Sequence, residues 1–180
     1  NSQNGKAGPV PPAAIAAQLQ AGLQRQLAGD LAGAADIYGA ILGADPYNAD
    51  ALHLLGVACL QGERFEQAVD LISRAIAVRP DNADYHGNLG AALLRLARNG
   101  EAAEACRAAL RRNPANAAFH GNLAVAQRRL EQIEDAIQSF RQVLRLNPSA
   151  VHVQRTLGDL HLGEKQYAEA RDSYRALLAP

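Results

Sequence analysis

The 180-residue chain contains no Met, no Trp and only two cysteines, and its aromatic residues (Tyr 5, Phe 3) make up 4% of the sequence. With so few rings, the 48% of apolar residues is mostly Ala and Leu. Small side chains of that kind pack helix against helix more readily than sheet against sheet. Two cysteines without paired spacing exclude a disulfide framework and a zinc ribbon. No run of 18 apolar residues occurs, which excludes a membrane-spanning helix. Net charge is also missing: 18 basic and 18 acidic residues cancel, which argues against a nucleic-acid footprint over the whole surface. An apolar fraction this high at zero net charge is equally unlike a disordered chain. The length fits one compact domain or one short repeat array.

The first twelve residues, Asn1 to Pro12, are polar or Gly- and Pro-rich. They lack the apolar core of a signal peptide and read as a flexible leader over 1–12, outside the fold. With no span and no signal, a cytoplasmic location is expected.

What the chain has in abundance is a period. Prolines stand at Pro46, Pro80, Pro114 and Pro148, a constant step of 34 residues. A Gly or Ala keeps the same step at Gly22, Gly56, Gly90, Ala124 and Gly158, and a small residue at Ala34, Ala68, Ala102, Ala136 and Ala170. A larger residue follows at Tyr38, Ile72, Cys106, Phe140 and Tyr174, then Ile41, Ala75, Ala109, Val143 and Leu177. Several columns in register along the chain are the signature of a repeat architecture.

Each unit reads as two helices. In 49–82, the residues Ala51, Leu52, Leu55, Val57, Ala58, Cys59 and Leu60 form one apolar stripe with largely helical spacing. Gln61-Gly62-Glu63-Arg64 interrupts it, with Gly62 expected as a left-handed C-cap. Phe65, Ala68, Val69, Leu71, Ile72, Ala75 and Ile76 form the second stripe. It ends at Arg79-Pro80, because a proline disfavours helical geometry in the residue before it. Asp81 or Asn82 then caps the next helix. The expected helices are 12–28, 31–44, 48–61, 64–78, 82–96, 99–112, 116–129, 132–146, 150–162 and 166–178. The recurrent Gly and Ala sit where paired backbones approach closely.

The unit resembles the tetratricopeptide repeat, whose consensus has Leu-Gly, Ala, an aromatic, Ala and Pro at these offsets. Leu55-Gly56, Leu89-Gly90, Leu123-Ala124 and Leu157-Gly158 carry the Leu-Gly pair. Ala21-Gly22 in the first copy, Ala124 for Gly and Cys106 for the aromatic are the departures. The resemblance implies an all-α, right-handed superhelical solenoid of five helix-turn-helix repeats within 13–180, at about 15–48, 49–82, 83–116, 117–150 and 151–180. It also implies that the first helix of each repeat lines a concave, protein-binding groove.

On that face the sequence places Asp50 and His53 in the second copy, and Asp84, Asn88 and Arg95 in the third. Asn122, Arg128 and Arg129 follow in the fourth, and His152, Arg155 and Asp159 in the fifth. Asn88 and Asn122 are equivalent, each preceded by a glycine (Gly87, Gly121). A carboxamide pairs with both groups of a peptide bond, so two in a row make a short ladder for an extended backbone, interrupted by Leu54 and Thr156. This is similar to the asparagine ladder in the repeats of O-linked N-acetylglucosamine transferase. The alternative is that both amides bond neighbouring helices or face water. Gly87 and Gly121 are expected to leave room for a ligand backbone.

Charge is uneven along the chain. Residues 1–72 hold three bases and seven acids, net −4, and 73–146 hold eleven arginines and seven acids, net +4. Arg107, Arg111 and Arg112 read as solvent-facing helix-end residues that complement the dipole. Groove arginines suit carboxylates or phosphates. Repeats that clamp the carboxylate tail of heat-shock chaperones use a Lys and an Asn where this chain has Leu19 and Leu23, so that ligand is not expected.

Catalytic patterns are missing. His53, His86, His120, His152 and His161 include no pair at metal-ligand spacing, and no HExxH or phosphate-binding glycine loop occurs. No cofactor and no metal are expected, and Cys59 and Cys106 read as buried small hydrophobes. The last helix shows Tyr167, Ala170, Tyr174, Leu177 and Leu178 with no capping helix after it, which predicts either a longer parent protein or self-association through that end. The chain therefore reads as a non-enzymatic scaffold for a protein or peptide. Two alternatives stand beside this. Ala51–Val57 and Tyr85–Gly90 look like the opening repeats of bacterial proteins with a downstream glycosyltransferase or sulfotransferase domain, for which this chain would be the substrate-docking arm. The uncapped end would instead make it a self-assembling scaffold.

Overall fold

Prolines and asparagines punctuate the chain at the corners of the fold. The computed structural model describes residues 12–177, in which ten α-helices and no strands occur. Of the leader expected over 1–12, residues 1–11 lie outside the described residues, and Pro12 is the first residue of α1 (Pro12–Leu27). Proline suits that position, since its missing N–H would be unpaired there in any case. The helices that follow are α2 (Leu31–Ala44), α3 (Ala49–Gln61), α4 (Phe65–Val78), α5 (Ala83–Arg95), α6 (Asn99–Arg112), α7 (Ala117–Arg129), α8 (Ile133–Leu146), α9 (Val151–Gly163) and α10 (Tyr167–Ala176). Most expected starts fall one residue early because they counted the N-cap as helix.

The second helix of each pair ends by the proline rule. Asp45, Arg79, Asn113 and Asn147 each precede a proline and are extended, with φ of −136°, −133°, −137° and −139°. Three of the helices that follow are capped by asparagine. The Asn48 side chain accepts from the Ala51 amide, Asn82 from Asp84 and Tyr85, and Asn116 from Ala118 and Phe119. Asn82, not Asp81, is thus the cap of α5.

Inside each pair the turn differs from expectation. Gly62 is not left-handed (φ −85°). The left-handed residue is the next one, Glu63, at φ 60°. Its amide bonds Leu60 O at 3.3 Å while the Arg64 amide bonds Cys59 O at 2.8 Å. This is the two-bond closure of a Schellman motif, and it sets the left-handed residue one place after the C-cap. The motif keeps the 34-residue step at Gly29, Ala97, Glu131 and Lys165, with φ from 55° to 85°, and only the first copy uses glycine there.

Among the described residues, those up to Asp81 form one compact unit and those from Asn82 onward another. In the first unit α1 pairs with α2 and α3 with α4, and α3 packs on both α1 and α2. Tyr38, Leu52 and Ile72 are its largest fully buried side chains. In the second unit α5 pairs with α6, α7 with α8 and α9 with α10; α7 packs on α5 and α6, and α9 on α8. Its core runs through Tyr85, Phe119, Phe140, Val143, Val153 and Leu157. In four of the five pairs the first-helix glycine lies beneath the side chain sixteen places on, and in the fourth repeat Ala124 and Phe140 share one core cluster. A Cβ added to Gly56 would stand 2.6 Å from Ile72 Cγ1, one at Gly90 2.6 Å from Cys106 Sγ, and one at Gly158 2.6 Å from Tyr174 Cε1.

Ala170 is buried, and Tyr174 lies over Gly158 with its hydroxyl donating to Asp159 Oδ1 at 2.7 Å. Tyr167 remains exposed, and Leu178 lies outside the described residues. No described helix is long and apolar enough to cross a membrane.

Candidate functional site

The first helices α7 and α9 carry polar side chains that pairing and capping leave without a partner among the described residues. Between α7, α8 and α9 lies an open cavity of about 580 Å3. Val125, Phe140, Val143 and Val153 supply apolar walls, while Asn122, Arg128, Asn147, His152 and Thr156 supply the polar lining. Asn122 is half-buried and Arg128 and His152 are exposed. None of these three side chains has a partner among the described residues. Thr156 is self-satisfied, its hydroxyl donating to His152 O at 2.9 Å.

The other expected groove residues are placed as follows. Asp84 is exposed in the first turn of α5, Asn88 is half-buried in its middle and Arg95 is exposed in its last turn. Asn88 and Arg95 both make intrachain interactions, as does His53, half-buried on α3. Arg155 is exposed on α9. Three residues are committed elsewhere. Asp50 holds Arg79 through two bonds, Nη1 to Oδ1 at 2.8 Å and Nη2 to Oδ2 at 3.2 Å. Arg129 donates to Leu94 O at 2.6 Å, a further bond on a carbonyl at the C-terminal end of α5 that also accepts from the Ala97 amide at 3.2 Å. Asp159 accepts from Tyr174, and that bond, ahead of burial, raises the phenol above its ordinary value.

The two glycines before the asparagines are not alike. Gly87 leaves no room for a ligand: the ring of Phe119 fills the space where its Cβ would be. Gly121 keeps the expected opening, with only Val143 Cγ2 near, at 3.9 Å, and it lines the cavity. The part played by Val153 was not foreseen, although its column (Ala51, Tyr85, Phe119, Val153) shows where the rings stop.

The remaining candidates have structural surroundings. His120 Nε2 is 3.0 Å from Pro114 O, and buried His161 has Nδ1 2.6 Å from Gln166 Oε1. Cys59 and Cys106 are buried free thiols, and burial pushes the Cys106 thiol up to about 12. Arg112 bonds Ala108 O at 2.8 Å in the last turn of α6, as a helix-end residue does, whereas Arg107 is half-buried before that turn and bonds Glu104 at 2.7 Å, so it is not a solvent-facing helix-end residue. Among the described residues no group of three or more His, Cys, Asp or Glu could hold a metal ion.

Comparisons with known proteins agree on one architecture. Two tetratricopeptide-repeat models match the chain, one over residues 26–93 and the other over 88–138 and 122–180. Among solved structures, MamA from Desulfovibrio magneticus is 18% identical with a TM-score of 0.84, the match covering 91% of this chain and 93% of that one. PilF of Pseudomonas aeruginosa is 26% identical with a TM-score of 0.82, over 92% of this chain and 75% of that one. YrrB, described as a tetratricopeptide-repeat protein with an unusual peptide-binding site, is 17% identical with a TM-score of 0.78, over 89% and 83%. No curated protein sequence matches. The period, the helix pairs and these matches together establish that the chain belongs to the tetratricopeptide-repeat family, whose fold is typical of protein–protein interaction scaffolds.

Proposed function

We propose that the chain binds a polypeptide segment along the first helices of its repeats, with α5, α7 and α9 as the working surface. The observation that carries this reading is the set of unpartnered polar side chains, Asn122, Arg128 and His152, around an apolar cavity. Polar groups that converge on a mostly apolar concavity are what ligand sites offer. Asn88, equivalent to Asn122 one repeat earlier, extends the surface, with Asp84, Arg95 and Arg155 at its edges. Asp50, Arg129 and Asp159 contribute less, because each is held in an intrachain bond. The described peptide-binding site of YrrB supports the same class of ligand. A cytoplasmic location belongs to this reading.

Affinity capture with the Asn88→Ala/Asn122→Ala double variant tests it. Partners recovered by the wild type should be lost while helical circular dichroism is unchanged. Recovery of the same partners by the double variant refutes the reading.

The narrower reading, a docking arm for a glycosyltransferase or sulfotransferase domain, rests on the resemblance of 51–57 and 85–90 alone. The sequence of the complete gene decides it.

A further inference from the structure

The cavity beside α7 exists because one ring is missing. Phe119 lies over Gly87 and fills the place of its absent side chain. One period later the same two positions hold Gly121 and Val153. Valine is too short to repeat the contact, and the space stays open at about 580 Å3. This lies within the range of ~300–1,000 Å3 typical of ligand pockets. The walls are apolar, so water filling them gains few hydrogen bonds. No carboxylate lines the cavity, and its one arginine, Arg128, has no acidic partner among the described residues.

The geometry points to this cavity as the anchor pocket for one bulky apolar side chain of a bound peptide that carries an acidic residue beside it. The inference rests on the polypeptide-binding reading above and adds a sequence preference to it. Size and polarity are set by the protein's own precedent: the repeat frame already accepts a phenylalanine ring over a glycine at Gly87 and Phe119. The flanking acid follows from charge. A guanidinium without a partner, at the rim of an apolar cavity, prefers a carboxylate and repels a basic neighbour. Asn122, on the same wall, is placed to hold the peptide backbone between them.

Amide NMR titration of the whole chain with three synthetic peptides tests the proposal. The probes are acetyl-Ser-Asp-Phe-Asp-Ser-amide, its Ala-for-Phe analogue and its Lys-for-Asp analogue. The first should shift amides of α7 and α9 and bind about tenfold or more tighter than either analogue. Val153→Phe should reduce its affinity to that of the Ala peptide, and Arg128→Ala should erase the difference between acidic and basic flanks. Equal binding of the Phe and Ala peptides to the wild type overturns the proposal, and that comparison needs no variant to fold. So does the absence of shifts in α7 and α9. Shifts of the same amides with protein concentration alone would make a second copy of the chain the occupant, and overturn it too. If the anchor fails while the Asn88→Ala/Asn122→Ala variant still loses its partners, the polypeptide reading survives; if that variant keeps them, both fall.

Discussion

Tyr38 closes over Gly22, sixteen residues earlier, so tightly that a Cβ on the glycine would stand 2.5 Å from the ring's Cε1. The ring is fully buried, and its hydroxyl donates to Gln26 Oε1 at 3.1 Å. Gln26 Nε2 in turn donates to Gln61 Oε1 at 2.8 Å, so one chain of bonds joins α2, α1 and α3.

Gly22→Ala should therefore destabilise the protein, although alanine is the better helix former by ~1 kcal/mol. Overpacking costs roughly 1–3 kcal/mol, and displacing the ring also strains the bond to Gln26. A lower urea midpoint with unchanged helical content is expected. An unchanged or raised midpoint would show that the ring yields freely.

Gly29 is the only glycine among the five left-handed turn residues, at φ 85°. Gly29→Ala should cost about 1–2 kcal/mol, the penalty for an L-residue in that region. Gly100→Ala makes a useful comparison, because that glycine lies within α6, where nothing crowds its missing Cβ. It should stabilise by a few tenths to about 1 kcal/mol. Thermal or urea melts of the two variants should move in opposite directions.

Acid should weaken two local structures. The Gly33 amide, and after it the Arg25 side chain, hold the Asp30 carboxyl below its ordinary value of 3.8. Hydrogen bonding by Arg98 does the same for Glu101, whose ordinary value is 4.5. Each folded-state value is depressed, so the stabilisation is fully present above the ordinary value and is lost as pH falls through the lowered one. Asp30→Asn combined with Glu101→Gln should flatten the pH dependence of the urea midpoint below about pH 4.5. Identical slopes for variant and wild type would contradict the assignment.

Cys106 should be chemically silent in the folded protein. Its thiol is pushed up to about 12 by burial, with Sγ held against Gly90. The thiolate is the reactive form. In a Cys59→Ala background a chromogenic aromatic disulfide at about pH 8 should find no thiol until denaturant is added. Prompt reaction of one equivalent in the native state would mean that this pair of helices opens readily.

The sequence by itself determined the repeat. A 34-residue period, glycine or alanine set sixteen residues before a larger side chain, and asparagine or proline at the corners act locally or recur in register. That is why ten helices were legible to within about two residues. It also placed Asn122, Arg128 and His152 on one face. Tertiary structure decided which members of that face stay available. Asp50 is taken by Arg79, 29 residues away just past the end of α4, and Arg129 by the Leu94 carbonyl, 35 residues away on α5. It also closed Gly87 and opened Gly121, because the filling ring belongs to the next repeat and one copy has valine there. Repetition specifies a frame, but an opening in it depends on how one copy departs from its neighbours, and a departure shows as a cavity only when the helices are packed.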